Sequence, residues 1–254
     1  MDLKEIIEHH VLDHVYAYIG VGQLSLPISK HLLMMGLVGA GLMIALPWIF
    51  RSRLPGMSLA RTAVETLVLF IRDGMVLPSM GEEGRKYTPY FCTLFFFILC
   101  SNLLGLVPYG ATATGNISVT ASLALCTFLL INVSGVAAHG VTGYLKGFVP
   151  HGVPLLLAPF LFFIEIIGLL AKTFALCVRL FANMIGGHIV LLSLIAMIFI
   201  FSGINVYAGV LGAIPVAIPM ALFISLLEVF VAVLQAYIFT FLTAIFTGAA
   251  LHPH

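Results

Sequence analysis

Residues 153–201 read VPLLLAPFLFFIEIIGLLAKTFALCVRLFANMIGGHIVLLSLIAMIFIF. Charge is rare in this apolar run. As one helix it would be roughly 70 Å long at about 1.5 Å per residue. The hydrocarbon core of a bilayer is only about 30 Å thick, and a typical tilt of about 20° does not absorb the difference. The run must either split into two spans or form one inclined helix. Splitting requires a turn midway, and Gly168 and Gly186-Gly187, the available breaks, lack the polar setting of a loop. A second long run, 206–250, follows Ser202-Gly203-Ile204-Asn205. The two runs therefore read as long, steeply tilted helices folded into an antiparallel hairpin. Such a hairpin suits a protein that curls around a large partner within the membrane.

The rest of the chain agrees with a membrane protein. Of its 254 residues 61% are hydrophobic and 8% charged, whereas a soluble domain carries about 25% charged residues. So few charges cannot cover a water-facing surface. A formal net charge of +1 argues against a nucleic-acid partner. Cys92, Cys100, Cys126 and Cys177 all lie in apolar runs without a C-x-x-C pair, so they read as buried core residues rather than disulfides or metal ligands. Residues 5–18 read as a short amphipathic helix rather than a secretory signal. His10 and His14 stand one turn apart there, but no third ligand is in register, and no metal or other cofactor is expected.

The expected fold class is all-α, integral to the membrane and polytopic. It has about five membrane-embedded helices, a surface amphipathic helix and no internal repeat, and it forms a single membrane domain over 1–254. Residues 1–30 form an outer N-terminal segment and 31–50 the first span. The polar stretch 51–88 contains an amphipathic helix over 58–77 that lies along the membrane surface. Residues 89–138 make a two-span hairpin (89–107 and 117–138), 139–152 a loop, and 153–250 the long hairpin. Arg51, Arg53, Arg61, Arg72, Arg85 and Lys86 fall in 51–88, and Lys146 falls in 139–152. The positive-inside rule puts those loops in the cytoplasm, the N-terminus outside and the C-terminus inside. Only Lys4 and Lys30 oppose this.

Ionisable groups at membrane depth are costly and default to function. They are Glu165, Lys172, Arg179, His188 and Glu228. The first three are spaced by seven, close to two helical turns, and share a face that Asn183 joins one turn after Arg179. His188 lies about half a turn round from Arg179. On the last helix Glu228 and Gln235 are also seven apart. Facing residues of an antiparallel hairpin have a constant sum of residue numbers. Pairing Arg179 with Gln235 and His188 with Glu228 gives nearly equal sums, with an apex near 207. Arg179 keeps its charge at any accessible pH and has no acidic partner placed for it in this chain, which points to a carboxylate on another subunit. His188 and Glu228 can both titrate; such a pair can pass protons along a wet path or merely fasten two helices.

These residues carry a resemblance. Leu176-Cys177-Val178-Arg179-Leu180-Phe181-Ala182-Asn183-Met184 resembles the L-x-x-R-L-x-x-N-M motif of subunit a of the F-type ATP synthase. Ser101-Asn102-Leu103-Leu104-Gly105-Leu106-Val107-Pro108, Leu234-Gln235-Ala236-Tyr237-Ile238-Phe239 and Arg72-Asp73-Gly74 also fit that family. The resemblance covers most of 31–250. It implies a stator in which Arg179 faces the carboxylate of a rotating proteolipid c-ring, with Asn183 and Gln235 as polar neighbours. It implies that His188 and Glu228 occupy two proton-path positions, in the reverse order to some bacterial members, and that Glu165 and Lys172 match an acidic and a basic position upstream. The other implied partners are peripheral-stalk b subunits, the rest of the complex and membrane lipid. The expected location, from the compact length and ordinary N-terminus, is a bacterial inner membrane. No glycine-rich nucleotide loop is present, so ATP chemistry belongs to other subunits. The alternatives are a stand-alone ion transporter or channel, and an intramembrane hydrolase built on Ser134 with His139 or Ser193 with His188. Neither serine has the Gly-x-Ser-x-Gly setting of a nucleophile.

Overall fold

The computed structural model describes residues 15–21, 24–51, 57–106, 112–148, 157–205 and 207–252. Two short strands, β1 (Val15–Val21) and β2 (Leu24–Ser29), pair antiparallel. The helix expected over 5–18 is therefore corrected: 15–18 are strand, and the remainder, with His10 and His14, lies outside the described residues. Alternation of β-branched and aromatic residues in VYAYIGV favours the pleat over the helix.

Five described helices are long and apolar enough to span a membrane. Helix α1 is Lys30–Arg51 and α2 is Met57–Ile71. A π-helical turn (Arg72–Val76), the short α3 (Leu77–Met80) and a 3-10 turn (Glu82–Tyr87) lead into α4 (Thr88–Gly105). Helix α5 is Ile117–Gly147, α6 is Ala158–Ile204 and α7 is Ile214–Leu251. The predicted 117–138 span thus continues past its expected end, but through a kink. Gly140 has φ 70°, a left-handed conformation that favours glycine. Helix α6 runs unbroken for 47 residues, so Gly168 and Gly186-Gly187 interrupt nothing. The long pair turns where the residue-number sums place the apex. Asn205 Oδ1 accepts the Tyr207 N–H at 2.9 Å, and a π-helical turn, Ala208–Ala213, leads into α7.

The chain divides into two compact units. One comprises residues up to Gly39, Leu99–Asn116 and Leu180–Gln235. Within it Gly209 lies against Ser202, and a Cβ at Gly209 would overlap that serine. The glycine thereby permits the close crossing at the apex.

The other unit comprises Ala40–Ile98, Ile117–Arg179 and Ala236–His254. Its core is built on the end of α7. Ala236, Phe239, Thr240, Thr243, Ala244, Thr247 and Leu251 are buried at helical spacing, which gives one continuous inward stripe. Thr243 and Thr247 donate to carbonyls one turn back at 2.7 Å, so these hydroxyls enter an apolar core satisfied. Met75, Val76, Met80, Phe91 and Ile98 are buried in the same unit. His139 Nε2 lies 2.8 Å from the Leu251 carbonyl and His252 Nε2 lies 3.4 Å from the Met80 carbonyl. Both histidines therefore serve the fold here, while His151 and His254 lie outside the described residues. In the polar stretch Arg72 bonds Asp73 at 2.7 and 3.0 Å, which holds the Asp73 carboxyl below its ordinary range. The four cysteines are free, but only Cys177 is buried; Cys126 is exposed and Cys92 and Cys100 are half-buried. The expectation of four core cysteines fails because α4 and α5 turn part of their apolar surface outward.

Gly248 packs against the Ser79 carbonyl, and a Cβ there would overlap its carbon and oxygen. The neighbour is backbone and cannot rotate away. Gly248→Ala is expected to destabilise this unit by about 1–3 kcal/mol, the range for an overpacked core. A lower thermal midpoint in detergent checks this, and an unchanged midpoint would refute the packing argument.

Candidate functional site: two cavities and an exposed arginine

In the unit containing Leu180–Gln235, a cavity of about 350 Å³ is lined by Leu106, Asn183, Gly187, His188, Glu228 and Val231 among others. The hairpin brings Asn183 and Gln235 together: Asn183 Nδ2 donates to Gln235 Oε1 at 2.9 Å. Gln235 is buried and Asn183 exposed. Among the described residues that line this cavity, only His188 and Glu228 carry an imidazole or a carboxyl group. They share its wall, but no hydrogen bond or ion pair joins them. His188 Nε2 instead lies 2.7 Å from Thr112 Oγ1. The reason is helical phase. Gly187 is the position that faces Glu228, and a Cβ there would overlap Glu228 Oε1. His188 is about 100° further round α6 and reaches the side of the cavity. Glu228 itself is 7% exposed, and its Oε2 has no hydrogen-bond partner among the described residues. A buried carboxyl with an unsatisfied oxygen is a costly arrangement unless water or an exchanging proton serves it.

The other unit holds the remaining predicted residues. Lys172 Nζ lies 3.7 Å from Glu165 Oε1 and 5.6 Å from the Phe246 ring centre. With Tyr144, Phe148 and Ala250 these three line a second cavity, of about 290 Å³. Arg179 stands seven residues, about two turns, beyond Lys172 in the stripe and is exposed on the surface of its own chain. It forms no ion pair among the described residues. Among its near neighbours on α6, Leu176 and Cys177 are buried, with Cys177 Sγ at 3.5 Å from Thr120 Oγ1. The helix is thereby held by its apolar face, with the guanidinium turned away from the packed interior.

The hydrolase alternative finds no support. Ser134 donates to the Leu130 and Ile131 carbonyls at 2.6 and 3.0 Å, and Ser193 to the Ile189 carbonyl at 2.7 Å. Each hydroxyl is engaged by its own helix rather than by a histidine. No group of three or more metal-ligating side chains occurs among the described residues. Three residues escaped the sequence reading as site components. Thr112 bonds His188, and Thr114 Oγ1 donates to Asn102 Oδ1 at 2.6 Å. The available signal was Thr112-Ala113-Thr114-Gly115-Asn116, a polar run between two apolar spans, which reads locally as an ordinary loop.

The helices and ionisable groups define an integral membrane protein with titratable residues at membrane depth, the arrangement of an ion-translocating subunit. Comparison with known proteins narrows this class. The family model described as ATP synthase A chain matches residues 32–248. ATP synthase subunit a of Chlorobium phaeobacteroides is 43% identical, over 97% of this chain and 75% of that protein. The subunit a of Myxococcus xanthus is 45% identical, over 92% of this chain and 77% of its own length. ATP synthase subunit a 2 of Prosthecochloris aestuarii is 44% identical, over 97% and 79%. The chain belongs to the ATP synthase A chain family, whose members are the proton-translocating stator subunit of the F-type ATP synthase and are not catalytic on their own.

Proposed function

We propose that this chain forms two offset aqueous half-channels that load and unload the carboxylates of a rotating proteolipid c-ring. A proton enters from outside through the cavity of His188 and Glu228 and neutralises a ring carboxylate, which can then pass into lipid. After almost a full rotation that carboxylate reaches the second half-channel, where the Glu165–Lys172 pair lines the way to the cytoplasm. Arg179 separates the two paths. Its fixed charge repels a proton that would cross directly and attracts the carboxylate that has just released one. Asn183 and Gln235 hold the polar surroundings of the arginine. Each proton crossing the potential yields about 2.3 kcal/mol per 100 mV, so several are spent per ATP.

The observation that carries this reading is the exposed Arg179 without a counter-ion among the described residues. An unpaired cation on an apolar helix is stable at membrane depth only if another subunit or water covers it. The partners are the c-ring, the peripheral-stalk b subunits and lipid. The location is a bacterial inner membrane, with the N-terminus outside and the C-terminus, 51–88 and 139–152 in the cytoplasm. Cross-linking tests the placement. Asn183→Cys, one turn from Arg179, should form a disulfide with a cysteine set one turn from the ring carboxylate and stop ATP-driven rotation. Failure to obtain the adduct at any position along that rotor helix would refute the facing surfaces.

A further inference from the structure

An imidazole on a proton path has to change its protonation while keeping its orientation. The partner of His188 meets both needs. A hydroxyl donates to Nε2 when that nitrogen is bare and accepts from it when it carries a proton. A carbonyl or an ammonium could serve only one of these states. Thr112 Oγ1 lies 2.7 Å from Nε2, and Thr112 is 3% exposed.

Thr112 is itself held firmly. Its carbonyl accepts the Gly115 N–H at 2.8 Å, which closes the short 3-10 turn Ala113–Gly115. Thr114, inside that turn, donates to Asn102 Oδ1 at 2.6 Å, and Asn102 Nδ2 donates to the Ala232 carbonyl at 3.3 Å. Asn102 and Thr114 are fully buried, where such groups are stable only when bonded, as these are. Ala232 is one turn beyond Glu228 on α7. On the other side, Gly105 of α4 gives Thr112 its room: a Cβ there would overlap Thr112 Oγ1 and Cβ. The segment from Thr112 to Asn116 is thus fastened to α4 and to α7 while its hydroxyl grips α6.

We propose that Thr112 is a positioning residue for proton transfer, holding the Nε2 edge of His188 through both protonation states while the Asn102–Thr114 bond backs it. With Nε2 held, the ring keeps one orientation while its protonation changes. Glu228 is the other titratable group of the cavity wall, and its distance from the ring is fixed by the same fastening. This inference rests on the reading of His188 as a proton-path residue.

The test is passive proton flux, as a function of pH, through inverted vesicles stripped of the soluble sector. Thr112→Val keeps the side-chain shape and removes the hydroxyl. It is expected to lower flux about three- to tenfold, the rate equivalent of one hydrogen bond, and to move the pH midpoint. Thr112→Ser should restore both. In a His188→Gln background Thr112→Val should cost nothing further, because the two residues act as one unit. Wild-type flux and midpoint in Thr112→Val would overturn the proposal. An equal loss in the His188→Gln background would also overturn it, making Thr112 a support of the fold alone. Wild-type flux in His188→Gln itself would remove the proton-path reading on which it rests.

Discussion

Arg179→Ala is expected to abolish ATP-driven acidification of inverted vesicles while the complex still assembles. The two halves of this expectation have separate causes. Leu176 and Cys177 are buried, whereas Arg179 is exposed and forms no ion pair among the described residues. Truncating it therefore breaks no internal bond, and removing an uncompensated cation from an apolar helix favours insertion. The loss falls on the mechanism. In the proposed mechanism, without the fixed charge nothing draws the ring carboxylate into its ionised state, and nothing blocks direct passage between the half-channels. Arg179→Lys should not restore full pumping, because an ammonium loses its proton far more readily than a guanidinium when desolvated. Pumping and subunit content are measured on the same membranes. Normal pumping by Arg179→Ala would make the arginine structural and reopen the assignment of the site.

Glu228→Gln is expected to cut passive proton flux through stripped vesicles by about a hundredfold, the low end for loss of a proton-transferring group. Glutamine keeps the size that fills the space beside Gly187 but cannot titrate. The bare Oε2 is the atom whose exchange is lost. Flux equal to wild type would exclude Glu228 from the path. The exchange of His188→Glu with Glu228→His carries the argument further. If the two groups act through shared water in one cavity, the double variant recovers more flux than either single change. Losses that simply add would reject the coupling.

Much of this architecture was legible in the sequence for one physical reason. Apolar runs of about 20 residues have few alternatives to spanning a membrane. The run 31–50 became Lys30–Arg51, and 153–201 became the unbroken Ala158–Ile204. The hairpin register was also readable, since a constant sum of residue numbers needs only helix geometry. Its limit was angular. The sums set His188 opposite Glu228, but a rotation of about 100° decides what actually faces the carboxylate, and Gly187 does. The β1–β2 pair was missed because short strands and short amphipathic helices share composition. Thr112 was missed because its partner is 76 positions away, and no local pattern encodes that distance.

The continuous Ala158–Ile204 helix also constrains how the protein is made. A bilayer is crossed by about 20 apolar residues, and this helix is about twice that length with a cation near its middle. A newly made copy therefore cannot settle until other parts of the membrane sector shelter it.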